Sequence, residues 1–111
     1  MKKTLIINSE IMGSGSEELG HQLMGSFLRK LWGSNNKPTR ILFYNSAVKL
    51  LTNGSPVLEA LDGLFEGGVD LIACGTCVSY FDLKDKIVIG RVSDMNEIAD
   101  SMIDNDGTVT L

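Results

Sequence analysis

The sequence predicts a three-layer α/β/α fold built on a mainly parallel five-stranded sheet. Short apolar, β-branched runs alternate with segments whose apolar residues recur at helical spacing. Such alternation indicates parallel strands joined by right-handed crossovers, with helices on both faces of the sheet. The length of 111 residues, with 43% hydrophobic and 22% charged residues, favours one globular domain over residues 1–111.

The first half of the chain predicts two strands and a long helix. Residues 4–7 form the first strand, and residues 41–44 form the second. Ser14 and Glu17 have the spacing of a capping box, which predicts the start of the first helix. The expected apolar face of this helix consists of Leu19, Leu23, Phe27, Leu28 and Leu31, and Gly33 ends it. After the second strand, residues 45–51 are expected to form one helical turn.

A second helix and a third strand follow. Ser55 and Pro56 are typical of the N-cap and first position of a helix, and Gly67 with Gly68 ends it. Its expected buried face consists of Val57, Leu58, Leu61, Leu64 and Phe65. The third strand is predicted over residues 69–73.

The remaining elements are shorter. A short helix is predicted over residues 77–83, and the fourth strand over residues 87–89. Asp94 and Glu97 predict a capped helix whose inward side consists of Ile98, Ala99, Met102 and Ile103. Residues 108–111 are expected to form a last strand at a sheet edge.

Charge and the N-terminal sequence exclude several classes of partner. The formal net charge of −4, without clustered Lys and Arg, argues against a nucleic-acid or anionic-membrane surface. The apolar run of residues 5–7 is too short for a signal peptide or a membrane span. We therefore expect a cytoplasmic protein, whose thiols are kept reduced.

The two cysteines, Cys74 and Cys77, are placed where the third strand passes into a helix. This edge of an open α/β sheet is where such folds hold their chemistry. Free N–H groups at the helix start would stabilise a thiolate, and two sulfurs at this spacing can exchange a disulfide. The alternative is that the cysteines are small buried apolar residues. We expect no metal site, since the single histidine, His21, falls on a helix surface, and no cofactor.

Residues near this turn are candidates for a substrate pocket. Gly75 and Thr76 would contribute backbone N–H groups, and the loop carrying Asn45, Ser46 and Lys49 should lie beside the third strand. Lys49 is either the nearest cation to a thiolate at Cys74 or a solvated surface residue. A thioredoxin fold is disfavoured because both prolines lie upstream of the cysteines, in positions explained by strand and helix starts.

Several spaced motifs resemble those of the DsrE/DsrF-like sulfur-relay family. They are Met12, Gly13, Gly15 and Glu18 to Gly20; Phe43 to Ser46 and Val48 to Leu50; Gly54 to Leu58; and Cys74 to Cys77. Within the family, they are most similar to the C-terminal domain of YedF-type proteins, which are sulfurtransferase-like and associated with selenium metabolism. The resemblance implies a homo-oligomeric DsrE/F-like domain in which Cys74 carries persulfide sulfur. YedF-type proteins usually have a preceding TusA-like domain, whereas this sequence begins with the first strand.

Three functions follow as alternatives. The leading one is a sulfur or selenium carrier, a possible sulfurtransferase, in which Cys74 accepts a persulfide sulfur and passes it to a partner. Cys77 would then resolve the persulfide or keep Cys74 reduced, and the partner would be a cysteine desulfurase or a TusA-like domain. The second is a dithiol redox or sensing module. The third is a non-enzymatic assembly or binding module in which the cysteines only pack.

Overall fold

The computed structural model describes residues 3–104 and 106–111; residues 1, 2 and 105 of the predicted domain lie outside this description. Its strands are β1 (Lys3–Ile7), β2 (Arg40–Phe43), β3 (Asp70–Cys74), β4 (Arg91–Ser93) and β5 (Gly107–Thr110). Its helices are α1 (Glu17–Trp32), α2 (Leu58–Glu66), α3 (Gly75–Tyr80) and α4 (Met95–Ile103), with a 3-10 helix over Asn45–Leu51. The strands pair in parallel in the order β4-β3-β2-β1-β5, which confirms the predicted fold class.

Alternating side chains of the central strands enter two apolar layers, as the period of a strand requires. Leu71 and Ala73 of β3 belong to the larger layer, together with residues of α1, α2 and the 3-10 helix. Ile72 and Cys74 point to the other face, where Ile98 of α4 covers them. The continuous apolar sequence of β1, β2 and β3 is therefore explained by burial on both faces.

The start and the orientation of α1 differ from the sequence prediction. Ser16, rather than Ser14, is the N-cap, and its hydroxyl accepts a hydrogen bond from Leu19 N–H at 3.1 Å. Leu19 and Leu23 are exposed, whereas Gly20 is buried. A Cβ at Gly20 would lie 2.7 Å from Ile11 Cβ. Helix α1 thus packs against Ile11 through Gly20. The spacing of apolar residues does not predict this close approach, because glycine is not counted among them.

Helix α2 begins at Leu58, so the predicted cap at Ser55 and Pro56 is displaced. The hydroxyl of Ser55 accepts a hydrogen bond from Val57 N–H within the preceding turn. Phe65 is 48% exposed, although the sequence pattern predicts that it is buried. The helix packs on α1 through Gly63, where a Cβ would overlap the Trp32 ring.

The fourth strand is β4, not residues 87–89. Ile87 makes an isolated antiparallel bridge with Thr52 instead. Gly90 then turns the chain with a φ of +79°, and β4 runs beside β3 with Ser93 opposite Cys74. The helix predicted over residues 77–83 also begins earlier, at Gly75.

The C-terminal elements agree more closely with expectation. Asp94 caps α4 by accepting a hydrogen bond from Glu97 N–H at 3.0 Å. Ile98 is fully buried, but Ala99 is exposed and Ile103 is 84% exposed, so the inward side is narrower than predicted. Strand β5 lies beside β1 at one end of the sheet order, as the sequence predicts. None of the helices in the described part of the chain has the length and apolar character needed to cross a bilayer.

Candidate functional site

The cysteine pair lies at the edge of the sheet where the parallel strands end. Cys74 is the last residue of β3 and the N-cap of α3, and Cys77 lies in the first turn of that helix. The helix begins directly at Gly75, so the first-turn N–H groups of Gly75, Thr76 and Cys77 have no partner inside the helix. The structure therefore brings the predicted motif to the edge that the parallel topology implies.

Cys74 is buried. Its relative exposure is 1%, and it packs with Ile6, Leu42 and Ile72 of the sheet and Ile98 of α4. This apolar environment shields the thiol from solvent. Cys74 is a free cysteine, not part of a disulfide.

Cys77 is half-buried and lines an open cavity of about 380 Å³. The other lining residues are Asn45, Thr76, Tyr80 and Phe81. Tyr80 is 82% exposed, and its ring packs edge-to-face against Phe81 with centroids 5.1 Å apart. The Cys77 sulfur is thus the thiol of the pair that a molecule in this cavity can reach.

The backbone of Asn45 contacts Cys77 directly. The Asn45 N–H donates a hydrogen bond to Cys77 Sγ, with N and Sγ 3.0 Å apart. Asn45 has a φ of +53°, a conformation that asparagine adopts more readily than most residues. The left-handed turn after β2 therefore aims a backbone donor at the accessible sulfur.

The pKa of the Cys77 thiol is raised above its ordinary value. Burial is the main cause, because it penalises the charged thiolate, and the neighbouring Cys74 thiol adds to it through a side-chain hydrogen bond. The hydrogen bond from Asn45 N–H acts in the opposite direction but is smaller in effect. The sequence predicts that the start of α3 stabilises a thiolate. At Cys77 the effect of burial is larger, so this thiol is mostly protonated at neutral pH.

The other predicted pocket residues are distributed around this cavity. Lys49 Nζ lies 4.6 Å from the centroid of the Phe81 ring and 3.9 Å from Glu10 Oε1. The hydroxyl of Ser46 accepts a hydrogen bond from Glu10 N–H at 3.1 Å. Lys49 therefore connects Glu10, in the loop after β1, to Phe81 in the cavity wall. Asn45 and Thr76 line the cavity itself, whereas Ser46, Lys49 and Gly75 are not among the lining residues.

Gly75 allows the chain to pass close to β4. A Cβ at this position would lie 3.0 Å from the carbonyl oxygen of Ser93. The position of β4 is held by Arg91, which makes paired hydrogen bonds to the carboxylates of Asp70 and Glu97. Glu97 also accepts a hydrogen bond from the Ser93 hydroxyl. The ion-pair network thus fixes the strand on which Gly75 packs.

Phe81 and Tyr80 line the cavity but are not among the pocket residues that the sequence predicts. Phe81 follows Cys77 by four residues, a spacing that places two side chains on the same side of a helical turn. This spacing is the feature of the sequence that could have placed Phe81 beside Cys77. His21 is exposed on α1, and within residues 3–104 and 106–111 no group of three His, Cys, Asp or Glu side chains is placed to hold a metal ion.

Comparisons with known proteins agree with this architecture. No curated protein sequence matches the chain. The ychN protein from E. coli is 19% identical, with a TM-score of 0.68 and coverage of 100% of both chains. The protein of unknown function MTH1491 from Methanobacterium thermoautotrophicum is 18% identical, with a TM-score of 0.69 over 99% of this chain and 98% of that one.

A conserved protein of unknown function from Bacteroides thetaiotaomicron, BT1422, is 14% identical, with a TM-score of 0.66 over 99% of this chain and 95% of that one. At these identities, the solved structures establish a shared fold. The DsrE/DsrF-like family model matches residues 1–111, which is the whole sequence. The chain therefore belongs to the DsrE/DsrF-like family.

Proposed function

We propose that this protein is a sulfur carrier of the sulfur-relay type, which holds sulfane sulfur as a persulfide on its cysteine pair. The observation that carries the proposal is the pairing of two free thiols at the sheet edge, one buried and one open to a cavity. Family membership supports it, because the DsrE/DsrF-like family is associated with sulfur relay. Cys74 is the carrier in this proposal and Cys77 is its partner thiol.

The chemistry requires a thiolate and a donor persulfide. A cysteine thiolate attacks the terminal sulfur of the donor, the donor S–S bond breaks, and the donor leaves as a thiol. Sulfane sulfur moves without net oxidation, so the step needs no redox cofactor. Selenium in the same oxidation state would follow the same route. The proposed donor is a cysteine desulfurase or a TusA-like protein, in the reducing cytoplasm.

The remaining proposed partner is a second copy of the chain. The predicted homo-oligomer has support in the apolar side chains that the fold leaves exposed, among them Leu19, Leu23 and Tyr80. Sedimentation of the purified chain measures this directly. A monomer at all concentrations would contradict this part of the proposal and leave the carrier chemistry untouched.

Intact-mass analysis after incubation with a cysteine desulfurase and cysteine tests the carrier function. We expect the wild-type chain to gain the mass of one sulfur atom, and to lose it on treatment with dithiothreitol. The double variant Cys74→Ser/Cys77→Ser is the matched control and should gain nothing. An unchanged wild-type mass would overturn the proposal.

A dithiol redox module is the second candidate, because both cysteines are free and Cys77 packs against the apolar cluster that contains Cys74. Two thiols three residues apart can be joined by an oxidant. Equilibration with glutathione buffers distinguishes the two candidates. A disulfide that forms reversibly near the cytosolic poise, without sulfur loading, would favour the redox module.

A further inference from the structure

The two cysteines differ in accessibility, and this difference orders the proposed reaction. We infer that Cys77 is the first acceptor: sulfane sulfur is transferred to Cys77 Sγ from the cavity and then passes to Cys74 Sγ. This inference rests on the proposed carrier function and adds the sequence of steps. It changes Cys77 from a helper that resolves the persulfide into the residue that contacts the donor.

Access to the donor separates the two thiols. Cys77 lines the cavity with Thr76 and Tyr80, both of which are exposed, so a donor sulfur can approach it from solvent. Cys74 is 1% exposed and is not among the residues that line this cavity. A donor persulfide on a protein cannot reach Cys74 without moving the side chains that cover it.

The backbone N–H of Asn45 donates a hydrogen bond to the sulfur of Cys77, the residue that we infer accepts sulfane sulfur first. Asn45 N–H lies 3.0 Å from Cys77 Sγ and is held there by the left-handed backbone of Asn45. A backbone N–H that points at a sulfur stabilises that sulfur as a thiolate, both when it attacks and when it leaves. Cys77 takes both roles in the inferred order, first as nucleophile and then as leaving group.

The second step is an exchange between neighbouring sulfurs. The Cys74 thiolate attacks the terminal sulfur of the Cys77 persulfide; the bond between that sulfur and Cys77 Sγ breaks, and the Cys77 thiolate leaves. The proton released by Cys74 returns to Cys77, so atoms and charge balance and no oxidant is consumed. The product lies among Ile6, Leu42, Ile72 and Ile98, where water and small thiols are excluded.

Three chains test the order: the wild type, Cys77→Ser and Cys74→Ser. Each is incubated with a cysteine desulfurase and cysteine, quenched with an alkylating agent at increasing times, and digested with trypsin. The peptide of residues 50–84 holds both cysteines, and fragmentation at Gly75 and Thr76 assigns the sulfur to one of them. Circular dichroism of both variants checks that they fold.

We expect wild-type sulfur to appear on Cys77 first and on Cys74 later. Cys77→Ser should load at least about tenfold more slowly, because a serine hydroxyl does not replace the nucleophilic thiolate. Cys74→Ser should still take up sulfur and should keep it on Cys77. Rapid loading of Cys77→Ser, or sulfur on Cys74 at the earliest times, would overturn the order while leaving the carrier function intact. A wild type that never loads overturns the proposed function, and this order with it.

Discussion

Replacing Gly90 with alanine should destabilise the protein more than the same change at Gly54. Both glycines have left-handed backbones, with φ of +79° at Gly90 and +90° at Gly54. At Gly54, no described atom outside the adjoining residues lies within 4 Å of the position that a Cβ would take. At Gly90, that position is 2.7 Å from the carbonyl oxygen of Leu71, a fully buried residue of β3. Comparison of Gly54→Ala with Gly90→Ala therefore distinguishes the cost of backbone strain from the cost of steric overlap.

The expected magnitudes follow from these two causes. Left-handed strain costs an alanine about 1–2 kcal/mol, part of which the reduced freedom of the unfolded chain offsets. Overlap in a packed interior adds about 1–3 kcal/mol. We thus expect Gly54→Ala to cost about 1 kcal/mol and Gly90→Ala about 2–4 kcal/mol of unfolding free energy.

Urea unfolding followed by circular dichroism measures both losses under the same conditions. The contact at Gly90 also positions β4, which lies beside Cys74. Gly90→Ala should therefore speed alkylation of Cys74 in the folded state, and Gly54→Ala should not. Equal stability losses in the two variants would refute the reasoning, because only strain is common to both positions.

Three further predictions concern the thiol, the ion-pair network and the first helix. The rate of Cys77 alkylation should rise about tenfold per pH unit from pH 7 upward, because the raised pKa keeps the reactive thiolate a minor species; a plateau below pH 8 would contradict this. Paired hydrogen bonds from Arg91 lower the pKa of Glu97 to about 2, so its contribution to stability is present above its unfolded pKa, near 4.5, and is lost as pH falls toward 2. Glu97→Gln should therefore flatten the dependence of the urea midpoint on pH in that range, and an unchanged slope would count against the network. Ser16→Ala should cost about 1 kcal/mol of unfolding free energy through loss of the N-cap, whereas Ser14→Ala should have little effect; the reverse ranking would restore the sequence prediction.

The sequence predicts the order of layers because apolar runs and turn residues are local signals. The buried strands at residues 4–7 and 41–44 and the edge strand near the C-terminus are recovered to within about two residues, the usual precision of such boundaries. The fourth strand is predicted in the wrong place. Residues 87–89 are the stronger apolar run, but the strand forms at residues 91–93, where Arg91 makes ion pairs with residues of β3 and α4. Such an override of local preference by packing is not visible in sequence.

The candidate site is predicted to a similar extent. The position of Cys74 and Cys77 at the sheet edge follows from the parallel topology alone. The unequal burial of the two cysteines does not follow from topology. It depends on Ile98 of α4, which is distant in sequence and packs in the cluster that buries Cys74. The contact from Asn45 also depends on a left-handed turn that joins β2 to the 3-10 helix. Long-range packing therefore decides which thiol is accessible.

The close contact between Trp32 and Gly63 has a practical consequence. Trp32 is the single tryptophan of the chain, and its ring occupies the space where a side chain at position 63 would begin. Its fluorescence therefore reports the junction of α1 and α2, two helices that carry neither cysteine. Trp32 is 38% exposed in the fold, and separation of these helices would expose more of the indole to water and shift its emission to longer wavelength. The chain thus contains a native optical probe with which folding can be followed without an added label.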